Sequence, residues 1–451
     1  MVLNLPLLSE VTRKYWLQYD EVFLVADLIA ACTFLTLMVR GKIRSHLPVM
    51  FYALSLLFLF WVFIQQAISG GKAVFFLVGV RAAFFPLVYL FVSAYYISRF
   101  DDAVRLLFYV ATGWVLVAGA VGIMQILLGP NNPINAVWGK LGLGVGDYTG
   151  MKHGPTMKGL FRPTSIFTHT GQFGQVAFLL ILFRWTVLAF AGLKFRPWAY
   201  VLILADLITI SVSGQRAAFL FLSTSVLVMA CFLARAGRAA FLKWLFVVAA
   251  FGAIVATFVV FQPTYGGVIL SRFESVIQEI PSRLHANLVD STEFIFQHYL
   301  FLGKGLGYFT LGAQRFGGKL VYEDVGVGES SINRICCEVG VFGAMILGAM
   351  WVLILVRAVA TFRARTASGA GTSSLFYFLW LISMYSWCNT ADVFANTVST
   401  FAASALGGAL MLPVVYKPRK MVEPDAGPNL GDSIYGTVQA DGGNTHEHAL
   451  F

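Results

Sequence analysis

The sequence predicts an all-α fold: a polytopic transmembrane helix bundle of about eleven spans, with two long extracytoplasmic loops, the second partly helical. Three observations predict it. Hydrophobic residues make up 58% of the 451 residues, and mean hydropathy is +0.76. Charged residues make up 12%, against roughly a quarter in an ordinary soluble domain. The apolar residues fall in long blocks, whereas the strands of a membrane barrel alternate apolar with polar positions. Together these exclude an ordinary cytosolic enzyme, a disordered chain, a disulfide scaffold and a membrane β-barrel. The five cysteines (Cys32, Cys231, Cys336, Cys337 and Cys388) have no CxxC spacing and read as small buried hydrophobes.

A helix needs about 20 apolar residues to cross a hydrocarbon core of ~30 Å. The first 20 residues carry Glu10, Arg13, Lys14 and Asp20 before any such stretch. They read as an extracytoplasmic N-terminal segment, 1–20, and not as a cleavable signal of the usual form. The bundle follows over 21–416. Its spans are expected at 21–39, 47–67, 73–97, 103–128, 169–190, 198–213, 216–234, 241–261, 331–357, 374–390 and 393–416. The sixth and seventh are separated only by Gly214-Gln215-Arg216, and the last two also lie close, so the count ranges from ten to twelve.

Basic residues fix the expected orientation. Arg40, Lys42 and Arg44 follow the first span, and Arg99 and Arg105 the third. Arg184, Lys194 and Arg196 go with the fifth, and Arg235, Arg238 and Lys243 with the seventh. Arg357, Arg363 and Arg365 follow the ninth, and Lys417, Arg419 and Lys420 the last. The alternate short connections carry almost none. Positively charged loops stay in the cytoplasm, which sets the N-terminus outside and the C-terminus inside. The net charge of +10 then needs no nucleic acid partner.

The two long outer loops are 129–168 and 262–330, both rich in Gly, Pro, Arg and Lys. The second contains an expected helix from about Arg283 to Tyr299, placed flat on the membrane or over a cavity. It ends in Gly303-Lys304-Gly305-Leu306-Gly307, read as a flexible turn. The tail, 417–451, is polar and Gly-rich and reads as disordered cytoplasmic chain. No internal repeat is visible.

Charges at membrane depth call for an explanation. Arg81 lies ~12 Å inside its span at 1.5 Å per residue, with Asp27, Asp206 and Glu338 at comparable positions in theirs. They read either as structural pairs, Arg81 with Asp27 or Asp206, or as a polar pocket opening outward. At the outer rim stand Arg162 in GLFRPTSIF, then His169 and Gln172, Arg216 in the SGQR turn, Arg272 and Arg283 in the second loop, and Arg334. Each alone is an ordinary surface arginine. As a set on one side they suit an anion, because guanidinium grips phosphate oxygens with two parallel donors. Arg216 also opens a helix, whose N-terminal dipole favours an anion. Glu329, at the start of the ninth span, is either a first-turn acid stabilised by that dipole or a general base. No metal-ligand cluster is visible, and Glu323-Asp324 is the only adjacent acidic pair in an outer loop.

In order along the chain come Gly122 and Gln125, RPTSIF, SGQR, GKGLGYF and the glycine pair Gly340/Gly343. This order over about residues 100–360 resembles the bacterial O-antigen ligase and polymerase superfamily, membrane glycosyltransferases acting on lipid-pyrophosphate-linked glycans. The ligase branch carries His, then Asn, Ser or Gln, then nine residues, then GxxG. Ser330, Gly340 and Gly343 fit that spacing, but Glu329 stands in place of the histidine. The resemblance therefore implies the polysaccharide polymerase branch. It matches Arg216 to the arginine of the family's short outer turn and Arg162 to the one before the fifth span. The family's loop arginine falls on Arg283, with His285 as competitor.

The resemblance implies an inner-membrane enzyme with its active site facing the periplasm. It would join oligosaccharide repeat units carried on undecaprenyl pyrophosphate, with a flippase and a chain-length regulator as partners and no metal or other cofactor. Glu329, Arg216 and Arg283 are the expected catalytic residues. Arg162, Arg216, Arg272, Arg283 and Arg334 would bind the donor pyrophosphate, and His169, His285, Lys304 and Arg81 would be further substrate contacts. The rival expectations are a ligase onto lipid A core and, as a non-enzyme, a transporter of polysaccharide or lipid-linked sugar.

Overall fold

The computed structural model describes residues 2–16, 21–42, 47–100, 102–129, 132–135, 163–168, 170–190, 197–236, 281–282, 284–310, 317–319, 321–324, 330–365, 369–388 and 397–412. All of them fall in one compact unit, Met1–Val414, and the expected tail 417–451 lies outside the described residues. Among the described residues the regular elements are helical. They are α1 (Asn4–Tyr15), α2 (Glu21–Val39), α3 (Val49–Ser69), α4 (Ala73–Arg99), α5 (Ala103–Leu128), α6 (Thr170–Phe190), α7 (Pro197–Ser213) and α8 (Arg216–Ala236). After these come a π-helical turn (Ala286–Asp290), α9 (Ser291–His298), α10 (Val321–Asp324), α11 (Ser331–Ala364), α12 (Gly369–Cys388) and α13 (Thr397–Gly407).

Ten of the expected spans coincide with helices, and the eighth, 241–261, lies outside the described residues. Among the described residues, five helices are long and apolar enough to cross a membrane: α3, α4, α5, α6 and α11. The turns between them follow local chemistry. Gly70 closes α3 in the left-handed conformation at φ 62°, a cap that costs a residue without Cβ little. Gly214 at φ 62° turns the chain between α7 and α8 in the same way.

The helices differ in what they face. Only a minority of the residues of α3, α4, α5 and α11 are fully buried, whereas α6 is buried along nearly its whole length. It is the centre of the bundle, packed on by α5, α7, α8, α12 and α13. Its sequence is apolar all round, as a wholly surrounded helix requires. Close approach elsewhere depends on missing side chains. A Cβ on Gly407 would enter the Tyr377 ring, and one on Gly408 would stand 2.5 Å from Ser93 Cβ, so α13 lies tightly against α12 and α4.

Two of the charges expected at membrane depth pair with each other. The Arg81 side chain of α4 donates to Asp27 of α2 and lies 5.2 Å from the Phe401 ring centroid of α13. Asp206 of α7 does not pair with Arg81; its partner is Arg184 of α6, and the Trp185 indole donates to the same carboxylate at 2.8 Å. This corrects the role of Arg184 in the expected orientation. It is fully buried inside α6, not a loop charge, because a carboxylate, an indole N–H and the Phe108 ring surround it.

A second correction concerns Gly340. The span expected at 331–357 is interrupted there. Gly343 lets α11 approach a neighbour closely, with Trp61 Cδ1 2.8 Å from where its Cβ would stand. Gly340 instead breaks α11, at φ 74° and ψ 162°, a conformation open to glycine and strained for other residues.

Candidate functional site at one end of the bundle

The contacts of α3, α4, α5, α6, α7, α8, α11 and α13 bring the same helix ends together. Gln125 near the end of α5 meets the segment before α6, Gln215 before α8 packs against Gly174 of α6, and Ser399 of α13 donates to Gln175 of α6 at 3.2 Å. Two polar assemblies stand at this end.

The first is built around the helix break. Breaking α11 at Gly340 strips backbone groups of their helical partners, and in an apolar setting each must find another. The residues just before and within the GKGLG turn supply them. Tyr299 O accepts from Val341 N at 2.9 Å, and Leu300 O from Phe342 N at 3.2 Å. In return, Lys304 N donates to Cys337 O at 2.9 Å and Gly305 N to Glu338 O at 3.0 Å. Val339 O accepts from Trp61 Nε1 at 2.9 Å and Gln65 Nε2 at 2.8 Å, both from α3. The GKGLG segment is therefore not the flexible turn expected from its glycines. Gly305, Leu306 and Gly307 are buried, and a Cβ on Gly307 would enter the backbone of α4 at Phe75 and Gly79.

Side chains complete this assembly. Glu338 Oε1 accepts the Phe309 backbone N–H at 2.9 Å, and Oε2 receives Arg334 at 3.1 Å. Arg334, expected at the open rim, is only 5% exposed. Lys304 is half-exposed, with Nζ 3.7 Å from Asp324 Oδ2, while Lys319 Nζ reaches Oδ1 at 3.0 Å. Ser330 caps α11, its hydroxyl accepting from Asn333 N at 3.0 Å, so Glu329 immediately precedes a capped helix N-terminus. The Tyr299 phenol is pushed up from its ordinary pKa by burial, with Cys337 and Asp324 nearby.

The second assembly was not foreseen. Helix α1 docks on residues 163–168 through two wholly buried charged side chains, Glu10 and Lys14. Glu10 Oε1 accepts the Thr168 N–H at 3.1 Å and its hydroxyl at 2.5 Å. Lys14 Nζ donates to Thr164 Oγ1 at 2.8 Å and to the Ser165 carbonyl. Ser165 sits at φ 54°, an unusual conformation for a residue with a Cβ. It is held there by Gln125, which accepts its N–H at 2.7 Å and donates to its carbonyl at 3.0 Å. Burial lowers the Lys14 pKa to about 7, against the opposing pull of Glu10, and raises that of Tyr15 to about 12. The sequence signal was a stripe at helical spacing, Leu3, Leu7, Glu10 and Lys14, which buries as one face.

The remaining expected site residues are placed as follows. Arg216 opens α8 directly after the Gly214 turn, and its side chain lies outside the described set. His285 is exposed, 3.5 Å from Asp290. Arg81 is committed to Asp27. Glu329, Arg162, Arg272, Arg283 and His169 lie outside the described residues. Among the described residues, no group of His, Cys, Asp and Glu is arranged to hold a metal ion.

No protein-family model and no curated protein matches the chain.

Proposed function

We propose that the protein is a membrane glycosyltransferase that joins lipid-linked oligosaccharide repeat units into a polymer. In this proposal the chain crosses a bacterial inner membrane about eleven times, with its N-terminus outside and its C-terminus in the cytoplasm. The end of the bundle described above faces the periplasm. The donor is an oligosaccharide on undecaprenyl pyrophosphate. Arg216 and Arg283, assisted by Arg162, Arg272 and Arg334, hold the pyrophosphate and stabilise the charge that grows on it as it leaves. Glu329 takes the proton from the attacking sugar hydroxyl. The glycosidic bond forms as the bond to the pyrophosphate breaks.

The supporting observation is that motifs distant in sequence meet in pairs at one end. Gln125 holds the RPTSIF segment, the SGQR turn packs on α6, and GKGLG is sealed into the break at Gly340. These contacts hold the described chain that follows Arg162 and Glu329, and the turn that leads into Arg216. The test replaces Arg216, Arg283 and Glu329 singly (R216A, R283A, E329Q), confirms membrane insertion, and follows polymer length. Loss of polymer with retention of single repeat units is expected. Full-length polymer from R216A and R283A removes the anion site, and wild-type polymer from E329Q removes the base.

One observation favours a second reading. A broken helix is a hallmark of transporters, where freed backbone groups line the substrate site. Here those groups are already bonded by Trp61, Gln65 and residues 299–305, which leaves them committed to protein. Purified protein in liposomes that moves a lipid-linked sugar without changing its mass establishes transport instead.

A further inference from the structure

The stretch from the π-helical turn through α9 has three distinct faces. Asn287, Ser291 and Ile295 point inward, and Ile295 packs with Phe309, Val321, Cys336 and Cys337. A polar stripe of Asp290, Glu293 and Gln297 is exposed. Beside it runs an apolar stripe, with Val289 at 55% exposure and Phe296 at 53%. The stripe continues past the helix end into Leu300, Phe301 and Leu302, with Phe301 at 59%. Contiguous exposed apolar surface of this kind marks a contact with another phase or partner.

Its level relative to the spans identifies the occupant. Phe301 O accepts from Gln65 Nε2 at 2.9 Å, one turn before α3 ends. Leu300 O accepts from Phe342 N, just past the break in α11. Beyond that break, Val341–Ala364 is ~36 Å long at ~1.5 Å per residue, enough alone for a hydrocarbon core of ~30 Å. The edge of the core therefore falls close to the break, at the level of residues 300–302. On α11 the same level carries exposed apolar residues: Phe342, whose N–H bonds Leu300 O, and Met345 one turn further on.

We propose that the segment Leu288–Leu302 is a membrane-seated interfacial element, its apolar stripe lying in the headgroup–acyl boundary and its acidic stripe turned to water. The occupant of the stripe is bilayer lipid, by its level at the core edge and its connection at Leu300 to the exposed apolar surface of α11. This goes beyond the proposed glycosyl transfer and stands or falls separately from it.

The test is nitroxide accessibility in the full chain, with Cys32, Cys231 and Cys388 replaced by alanine and the buried Cys336 and Cys337 retained. Single labels go on V289C, F296C and F301C, with D290C and Q297C as water-facing controls; T292C substitutes for any apolar site that fails to insert. The protein is reconstituted in phosphatidylethanolamine–phosphatidylglycerol vesicles. Collision with oxygen is expected to exceed collision with a water-soluble nickel chelate several-fold at 289, 296 and 301, with the order reversed at 290 and 297. Nickel access at 289, 296 and 301 equal to that at the controls overturns the proposal. Protection of those three from both reagents also overturns it, since that marks a covering protein chain.

Discussion

Glu338 joins Phe309 to Arg334: one oxygen accepts the Phe309 backbone N–H at 2.9 Å, and the other receives the guanidinium at 3.1 Å. A single buried carboxylate thus ties the loop to the short helical half before the break and neutralises the cation beside it. Removing one member of a buried pair leaves a charge without its counter-charge, at a cost of about 3–5 kcal/mol. Glu338→Ala is expected to lower stability by about that amount, read as the thermal midpoint in detergent. Glu338→Gln keeps an acceptor for Phe309 and is expected to lose less.

The break itself gives a second expectation. Gly340→Ala forces a Cβ into the left-handed region, which costs about 1–3 kcal/mol before any clash with the Phe301 carbonyl. Gly348 lies in the same helix with open space around it. Gly348→Ala is therefore expected to stay within about 1 kcal/mol of the wild type. Equal midpoints for the two variants count against a specific role for the break.

The Arg184–Asp206 pair yields a third. Asp206→Ala is expected to destabilise the chain by about 3–5 kcal/mol, because Arg184 keeps its charge in a fully buried site. Replacing both, as Arg184→Met with Asp206→Leu, removes the charges together and is expected to recover most of the loss. A double variant as unstable as the single one rejects the uncompensated charge as the cause of the loss.

Lys14 makes stability depend on pH. Its folded pKa, about 7, lies below its ordinary 10.5, so between those values the unfolded chain binds the extra proton. Stability then rises as pH increases from about 7 toward 10.5, and the cost of burying the ammonium is full below 7. Among the described residues, Glu10 and Arg13 on the same helix are further charges at this site. Lys14→Met is expected to flatten the profile, measured as the detergent unfolding midpoint from pH 6 to pH 10.

The helices were legible in the sequence because a lipid-facing helix needs an unbroken apolar block, and hydropathy measures that directly. Pairings were less so. Arg184 was counted with the loop charges because charge alternation along a chain carries no information about a partner on the next helix. Gly340 in an apolar run looks the same whether it serves close packing or a positive φ. The docking of α1 needs Thr164, 150 residues further on, and nothing local to Lys14 points to it. Of the expected site, the sequence foresaw which motifs carry polar groups, but not that Arg334 spends its charge on Glu338.

The closure of the break also orders the making of the protein. Its donors and acceptors come from Trp61, Gln65 and residues 299–305, all of which leave the ribosome before Gly340 does. The groups that close the break are therefore synthesised before the break itself. A chain lacking its first three helices would leave the Val339 carbonyl without the two side-chain donors that α3 supplies.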